Sequence, residues 1–282
     1  MMHKMTAWLS TRLIDFINYQ YPATSKPQCN FERLRHEIRP GDVILVEGRS
    51  RGSEVIKLVT QSPWTHAALY IGRIYDIEDP ILRDHLSRIY QGEMNEQLLI
   101  EAVLGQGTVV TPLTCYHQDH LRICRPHGLS HTDAQQVIGY GIGRLGLRYS
   151  VRQIFDLFRF MFPYAILPRR WRSSLFAHHA GESTRTVCSC LLAEAFNAVQ
   201  FPILPFIEHD QSGRIYFHKT NPRLFTPKDF DYSPYFDIIK YPYLGLEDRG
   251  IYRQLPWSDQ PQYPTPTISP PAFAPVVNYR PK

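Results

Sequence analysis

The chain has 282 residues, of which 43% are hydrophobic and 20% charged, a balance that supplies a sizeable core and excludes wholesale disorder. Its 31 basic and 26 acidic residues leave a formal charge of only +5, too small over this length to argue for nucleic-acid binding on charge alone. Five cysteines form an odd, sparse set, which does not read as a disulfide scaffold.

Met1 to Tyr21 lacks the continuous apolar core and small-residue cleavage site of a signal peptide, and charges or prolines interrupt every candidate membrane span. Met5, Leu9, Leu13, Phe16 and Ile17 recur instead at helical spacing, so residues 1–38 read as an amphipathic helix and a connector. Packing of that helix on the domain is the plainer reading, and lying on a membrane surface is the other. The expected address is cytoplasmic, peripheral to a membrane if the helix or a later basic segment binds one.

Strand signals follow at Asp42 to Val46, Ala67 to Gly72, Leu98 to Val103, Gly107 to Val110 and Leu121 to Cys124. Their close spacing predicts an antiparallel sheet without crossover helices. Thr132 and Asp133 are the expected cap of a helix through Val137 and Ile138 that ends in the glycines from Gly139 to Gly146. Gly141, Gly143 and Gly146 match a dinucleotide fingerprint literally, but they follow a helix and not a strand, so no cofactor is expected.

Between residues 144 and 172 stand seven arginines against one acid, Asp156, interleaved with aromatics. Residues 144–172 therefore carry a local charge of +6, more than the whole chain's surplus of +5, and most of it falls in the insertion at about 150–180. Its ordinary reading is a buried aromatic face with a solvated basic edge. Its functional reading is contact with an anionic membrane through Arg152, Arg159, Arg169, Arg170 and Arg172. A helix is predicted from Cys188 to Val199, then short strand signals such as Ile238 and Ile239, and a proline-rich tail over 246–282.

Three residues could carry chemistry. Cys188 falls at a predicted helix start, after the candidate caps Thr184 and Thr186, where the dipole and free amides favour a thiolate. His66 opens a strand, where an imidazole could serve as general base. Glu101 lies between Ile100 and Ala102 in an apolar strand and needs a partner, which an imidazole would supply. Singly, each has an ordinary structural reading: a small buried thiol, a hydrogen-bonded histidine, a solvated acid. Cys115, His117, His120 and Cys124 are compact in sequence, yet their spacing fits no familiar zinc site, and no metal is expected.

Gly41 to Leu45, Thr60 to Gly72 with its Thr-His-Ala-Ala-Leu-Tyr-Ile-Gly ending, Ile100-Glu101-Ala102, Val187-Cys188-Ser189-Cys190-Leu191-Leu192-Ala193-Glu194-Ala195-Phe196, and Thr226 to Phe230 with Ser233-Pro234 together resemble the YiiX/YebB-type branch of the NlpC/P60 cysteine hydrolases. The resemblance runs from about Arg39 to Ile239. It implies an α+β, permuted papain-like fold over 39–245, with an antiparallel sheet packed against the cysteine helix.

It also implies an amide- or ester-cleaving enzyme with Cys188 as nucleophile, His66 as base and Glu101 orienting the imidazole. Tyr149, Trp64, Ser189 and Cys190 are the expected substrate-side neighbours. One departure is that the family's acidic residue two places after the nucleophile is Cys190 here, which leaves it as a competing thiol. Acyl transfer of the lecithin:retinol acyltransferase kind is an alternative, although that group's Asn-Cys-Glu-His-Phe signature is absent. A catalytically silent membrane- or partner-binding module is another. A peptide or lipid acyl substrate is expected, and nucleic acid is not.

Overall fold

The computed structural model describes residues 16–22, 29–147, 187–210 and 212–241, together with Arg12 and Ile14. The chain divides into two compact units, Met1–Gly245 and Leu246–Lys282. The second unit, which holds the proline-rich tail, lies outside the described residues. So do Tyr149, the segment with Arg152, Arg159, Arg169, Arg170 and Arg172, and the candidate caps Thr184 and Thr186.

The described part is an α+β structure built on a six-stranded sheet in which every pairing is antiparallel. In chain order its strands are β1 (Val43–Glu47), β2 (His66–Gly72), β3 (Leu98–Val103), β4 (Gly107–Pro112), β5 (His120–Pro126) and, after a separate hairpin, β8 (Phe236–Ile239). The spatial order β4-β3-β2-β1-β5-β8 places β1 and β2 at the centre. Both are buried along nearly their whole length, and this explains why they read as continuous apolar runs and not as alternating ones.

Among the described residues the connections hold helices, none of them a crossover. Helix α2 (Arg51–Thr60) joins β1 to β2, and α3 (Pro80–Ile89) lies between β2 and β3. Each has a local cause. Ser50 accepts from the Ser53 amide to cap α2, and Gln61 closes it in the left-handed region at φ 52°. Asp79 caps α3 through the amides of Ile81 and Leu82, with Pro80 at the first position, where its missing N–H costs nothing. Both helices join antiparallel neighbours, so no crossover follows from them.

One face of the sheet carries α1 (Phe31–Glu37) together with Ile38, Leu113, Leu121 and Ile123, packed on Ile44, Val46, Ala68, Tyr70 and Leu99. The other face carries α4 (His131–Ile142) and α5 (Val187–Ala198), packed on Val43, Leu45, Ala67, Leu69, Ile71, Leu98 and Ile100. The cap of α4 is Ser130, which accepts from the Asp133 amide; the helix starts one residue before Thr132, and Thr132 and Asp133 lie in its first turn. It continues through Gly139 and Gly141 because those glycines serve packing. A Cβ on Gly141 would stand 3.2 Å from Ile100 Cδ1, so its absence lets the helix approach the sheet.

Helix α5 is buried on most sides through Cys188, Ser189, Leu191, Leu192, Ala193, Ala195 and Phe196. Phe196 sits in a cluster of rings with Phe201, Phe230 and Phe236, at centroid separations of 5.5, 6.4 and 5.4 Å. Phe230 belongs to α6 (Pro227–Tyr232), whose capping box pairs Thr226 with Asp229. Burial of a phenylalanine contributes about 1.5–3 kcal/mol, and edge-to-face pairs add to that, so this cluster fixes where α5 lies.

At the N-terminus Ile17 is buried, and a Cβ on Gly52 would meet its Cγ2 at 2.8 Å. Arg51 stacks over Phe16 and Tyr19 at 4.1 and 4.9 Å. The described part of the N-terminal helix is thus docked against the start of α2. The hairpin β6 (Phe206–His209) and β7 (Ile215–His218) stands apart from the main sheet, and all eight of its strand residues are exposed. Among the described residues no helix is long and apolar enough to cross a membrane.

Candidate active site

His66 is positioned by what precedes it. The Thr65 amide donates to Val46 O at 3.1 Å, and Thr65 Oγ1 accepts from the Gly48 amide at 2.9 Å. Trp64 is 1% exposed, stacked on His120 at 5.5 Å on one side and covered by the Arg122 guanidinium at 4.5 Å. Trp64, expected beside the substrate, is placed in the core among the described residues. The indole is a core anchor that leaves the start of β2 no freedom to turn.

Glu101 comes from the next strand. The register Leu69↔Ile100 and Tyr70↔Leu99, continued by one residue, sets Glu101 beside Ala68 on the face that His66 also occupies, because side chains alternate along a strand. His66 and Glu101 are then diagonal neighbours within reach of long side chains. His66 Nε2 and Glu101 Oε2 are 2.5 Å apart. The histidine side chain keeps 22% exposure while the carboxylate keeps 2%, so the pair runs from the surface into the interior.

The carboxylate has further donors. Tyr116, in the 3-10 turn Leu113–Tyr116 after β4, donates its hydroxyl to the same Glu101 Oε2 at 2.5 Å. Its ring lies along the His66 ring at 6.4 Å and 24°. Thr111 of β4 also hydrogen-bonds Glu101. Burial alone would raise the carboxyl pKa, but the bonds from His66, Thr111 and Tyr116 outweigh it and hold Glu101 below its ordinary value.

Cys188 meets the other side of the imidazole. It lies in the first turn of α5 and is 2% exposed. Burial opposes a charged His66. The charge and hydrogen bonding of Cys188, followed by those of Glu101, reverse that effect and raise the imidazole pKa well above its ordinary value. Since Nε2 is engaged by Glu101, Nδ1 is the nitrogen left for the thiol. Cys188, His66 and Glu101, from three elements and 122 sequence positions, therefore form one connected chain of groups.

Two other expected neighbours take different roles. Ser189 is fully buried, and its hydroxyl donates to Phe225 O at 2.7 Å. It ties the first turn of α5 to the segment before α6, a structural bond that the expected substrate-side role did not include. Cys190 points along its helix to Glu194, with Sγ 3.7 Å from Oε1. Glu194 also accepts from Tyr140, whose hydroxyl receives the Arg144 guanidinium at 2.6 Å. Cys190 thus belongs to a polar group on the α4 side of the helix, and Cys188 is the thiol that meets His66.

No protein family profile matches the chain, and a comparison with curated proteins finds no match. Among solved structures, the crystal structure of the metalloprotein yiiX from Escherichia coli O157:H7, DUF1105, aligns with 78% of this chain and 100% of its own, at 16% identity and a TM-score of 0.43. What stands on this chain's own residues is the α+β architecture with its six-stranded antiparallel sheet.

Among the described residues no group of three or more His, Cys, Asp and Glu side chains is arranged to hold a metal ion. The sequence cluster Cys115, His117, His120 and Cys124 disperses in space. Cys115 is exposed, Cys124 is buried in the core on the α5 side of the sheet, and His120 stacks on Trp64. Sequence reasoning passed over Tyr116 and Thr111. The only signal available for Tyr116 was its place in Thr114-Cys115-Tyr116-His117, a stretch that drew notice for its metal-ligand types alone.

Proposed function

We propose that this chain is a cysteine hydrolase of permuted papain-like organisation, related to the NlpC/P60 enzymes, that cleaves an amide or ester bond through an acyl-enzyme on Cys188. The observation that carries this reading is the convergence on one imidazole of a thiol at a helix start and a buried carboxylate. The chain order, with the histidine strand ahead of the cysteine helix, supports the permuted arrangement.

In this mechanism His66 takes the Cys188 proton, and the thiolate attacks the substrate carbonyl carbon. The resulting oxyanion is proposed to lie beside the start of α5, with amides of its first turn as donors. The imidazolium then gives its proton to the leaving amine or alkoxide as the carbon–heteroatom bond breaks, which leaves a thioester. Water attacks that thioester with His66 again as base, releasing the carboxylic acid and the free thiol. Glu101 holds the imidazole and stabilises its charged form. The substrate class, a peptide or a lipid acyl group, is part of the proposal inherited from the resemblance.

The test is to incubate the full chain with a thiol-directed acyl probe and with p-nitrophenyl esters and to locate the adduct by mass spectrometry. A hydroxylamine-labile adduct on the Cys188 peptide, lost in Cys188→Ala and in His66→Ala, is the expected result. Equal labelling of Cys188→Ala would overturn the assignment of the nucleophile.

A further inference from the structure

We propose that Tyr116 is a positioning residue of this site: its hydroxyl shares Glu101 Oε2 with His66 Nε2, holding the carboxylate against the imidazole while drawing off part of the charge that the imidazole would otherwise receive. The inference rests on the reading of Cys188, His66 and Glu101 as a catalytic chain, and it adds a fourth member acting through Glu101.

The geometry is specific. Two donors converge on one oxygen, each at 2.5 Å, and the Tyr116 ring lies nearly parallel to the imidazole, its plane 24° away. Tyr116 packs against the buried cluster on the α1 side of the sheet, so its hydroxyl is delivered by a fixed ring. Burial, together with the neighbouring Glu101 charge, pushes its own pKa far up, so the hydroxyl keeps its proton and acts as a donor at every working pH. A carboxylate oxygen that accepts two hydrogen bonds is a weaker base toward each donor. Tyr116 therefore tempers the Glu101–His66 bond while preventing the carboxylate from rotating out of it.

Among the described residues that titrate, His66 faces Cys188 from α5 and Glu101 from β3. Glu101 faces His66, Thr111 and Tyr116, and Cys115 senses its charge together with that of Glu96. Tyr116 further senses Cys188 and Asp119, and Asp119 is paired with Arg49 at 3.1 Å.

The experiment measures the rate of carboxymethylation of Cys188 by iodoacetate from pH 4 to 10 in the full chain, quantified on the Cys188 peptide. An anionic reagent reacts fastest while the imidazolium is present, so the falling alkaline limb reports the loss of the His66 proton. In Tyr116→Phe, which keeps the ring, that limb should move up by ~0.5 pH unit or more, because Glu101 Oε2 is left to His66 with one competing donor removed. Site-specific replacement of Tyr116 by 3-fluorotyrosine makes a stronger donor and should move the limb down. It supplies the answer even if the phenylalanine variant fails to fold.

A limb unmoved by the fluorinated residue, or moved down in a folded Tyr116→Phe protein, would overturn the inference. A wild-type profile without any alkaline limb would instead overturn the catalytic chain itself, so the two failures are distinguishable. A role for Tyr116 in packing alone would alter stability and leave the limb in place.

Discussion

Glu101 Oε2 stands 2.5 Å from His66 Nε2, and the carboxylate is almost wholly buried while the imidazole keeps an exposed edge. A buried acid paired with a half-buried base fixes one ring nitrogen and leaves the other to face incoming groups. The thiol of Cys188 is the group that meets it. From this relationship follow expectations that can be measured without knowing the natural substrate.

Under the proposed hydrolase reading, replacing Cys188 or His66 should remove the chemistry and leave the fold. His66→Ala is expected to lower the rate of acyl-probe labelling at Cys188 by about 10²–10⁴-fold, the usual worth of a general base, with far-UV circular dichroism unchanged. Cys190→Ala, in contrast, should keep wild-type labelling, because that side chain is engaged with Glu194.

Glu101→Gln tests orientation more than charge. The glutamine amide can present its NH2 to Nε2, which then acts as acceptor and forces the proton onto Nδ1, the wrong nitrogen for a base that must receive the thiol proton. A loss of about 10³–10⁴-fold in labelling rate is expected by analogy with an acid-to-amide change in a catalytic triad. A variant within threefold of wild type would show that Glu101 does not orient the ring.

The same pair predicts a pH window of stability. Glu101 is held below its ordinary value of 4.5, so its contribution is present above that value and fades as pH falls through the lower folded pKa. His66 is held above its ordinary value of 6.5, so its contribution is complete below that value and fades as pH rises through the higher folded pKa. Wild type should therefore exceed Glu101→Gln in melting temperature by most between about pH 4.5 and 6.5, with the gap closing at both extremes. A gap that grew steadily toward alkaline pH would contradict this assignment.

Ser189→Ala separates a structural from a substrate-binding role. Loss of the buried bond to Phe225 O leaves that carbonyl unpartnered and should cost about 1–3 kcal/mol in urea denaturation, while Cys188 labelling of the folded protein stays within a few-fold of wild type. A stable variant with abolished labelling would return Ser189 to the substrate side.

Phe196→Ala should be the most damaging of the core changes at the site's foundation. It removes a fully buried ring that touches Phe201, Phe230 and Phe236, and a loss of about 3–5 kcal/mol is expected from chemical denaturation. Because that cluster seats α5, the iodoacetate reactivity of Cys188 should fall toward that of an ordinary thiol even under conditions where the variant remains folded.

The strands β1, β2 and β3 and the cysteine helix were legible as sequence because each is a largely apolar run whose burial does not depend on which partner covers it, while β5 was legible from its alternation of Leu121, Ile123 and Cys124 with charged residues. His66 and Glu101 were legible for a related reason, since a titratable group inside an apolar strand must have a partner whatever the fold. Local pattern could not decide the partner's identity.

Two residues apart on a helix differ by about 200° around its axis, so of Cys188 and Cys190 one meets the imidazole and the other meets Glu194, and only the seating of α5 by its aromatic cluster decides which. Trp64 and Ser189 turned inward for the same kind of reason. Tyr116, fifteen positions beyond Glu101 in the chain, reaches the carboxylate only because β4 folds back on β3 and a single 3-10 turn aims its ring. Hydrophobic periodicity is a property of neighbours in sequence, whereas the direction of a hydrogen bond between strands, turns and a helix end is set by packing that the whole chain must complete.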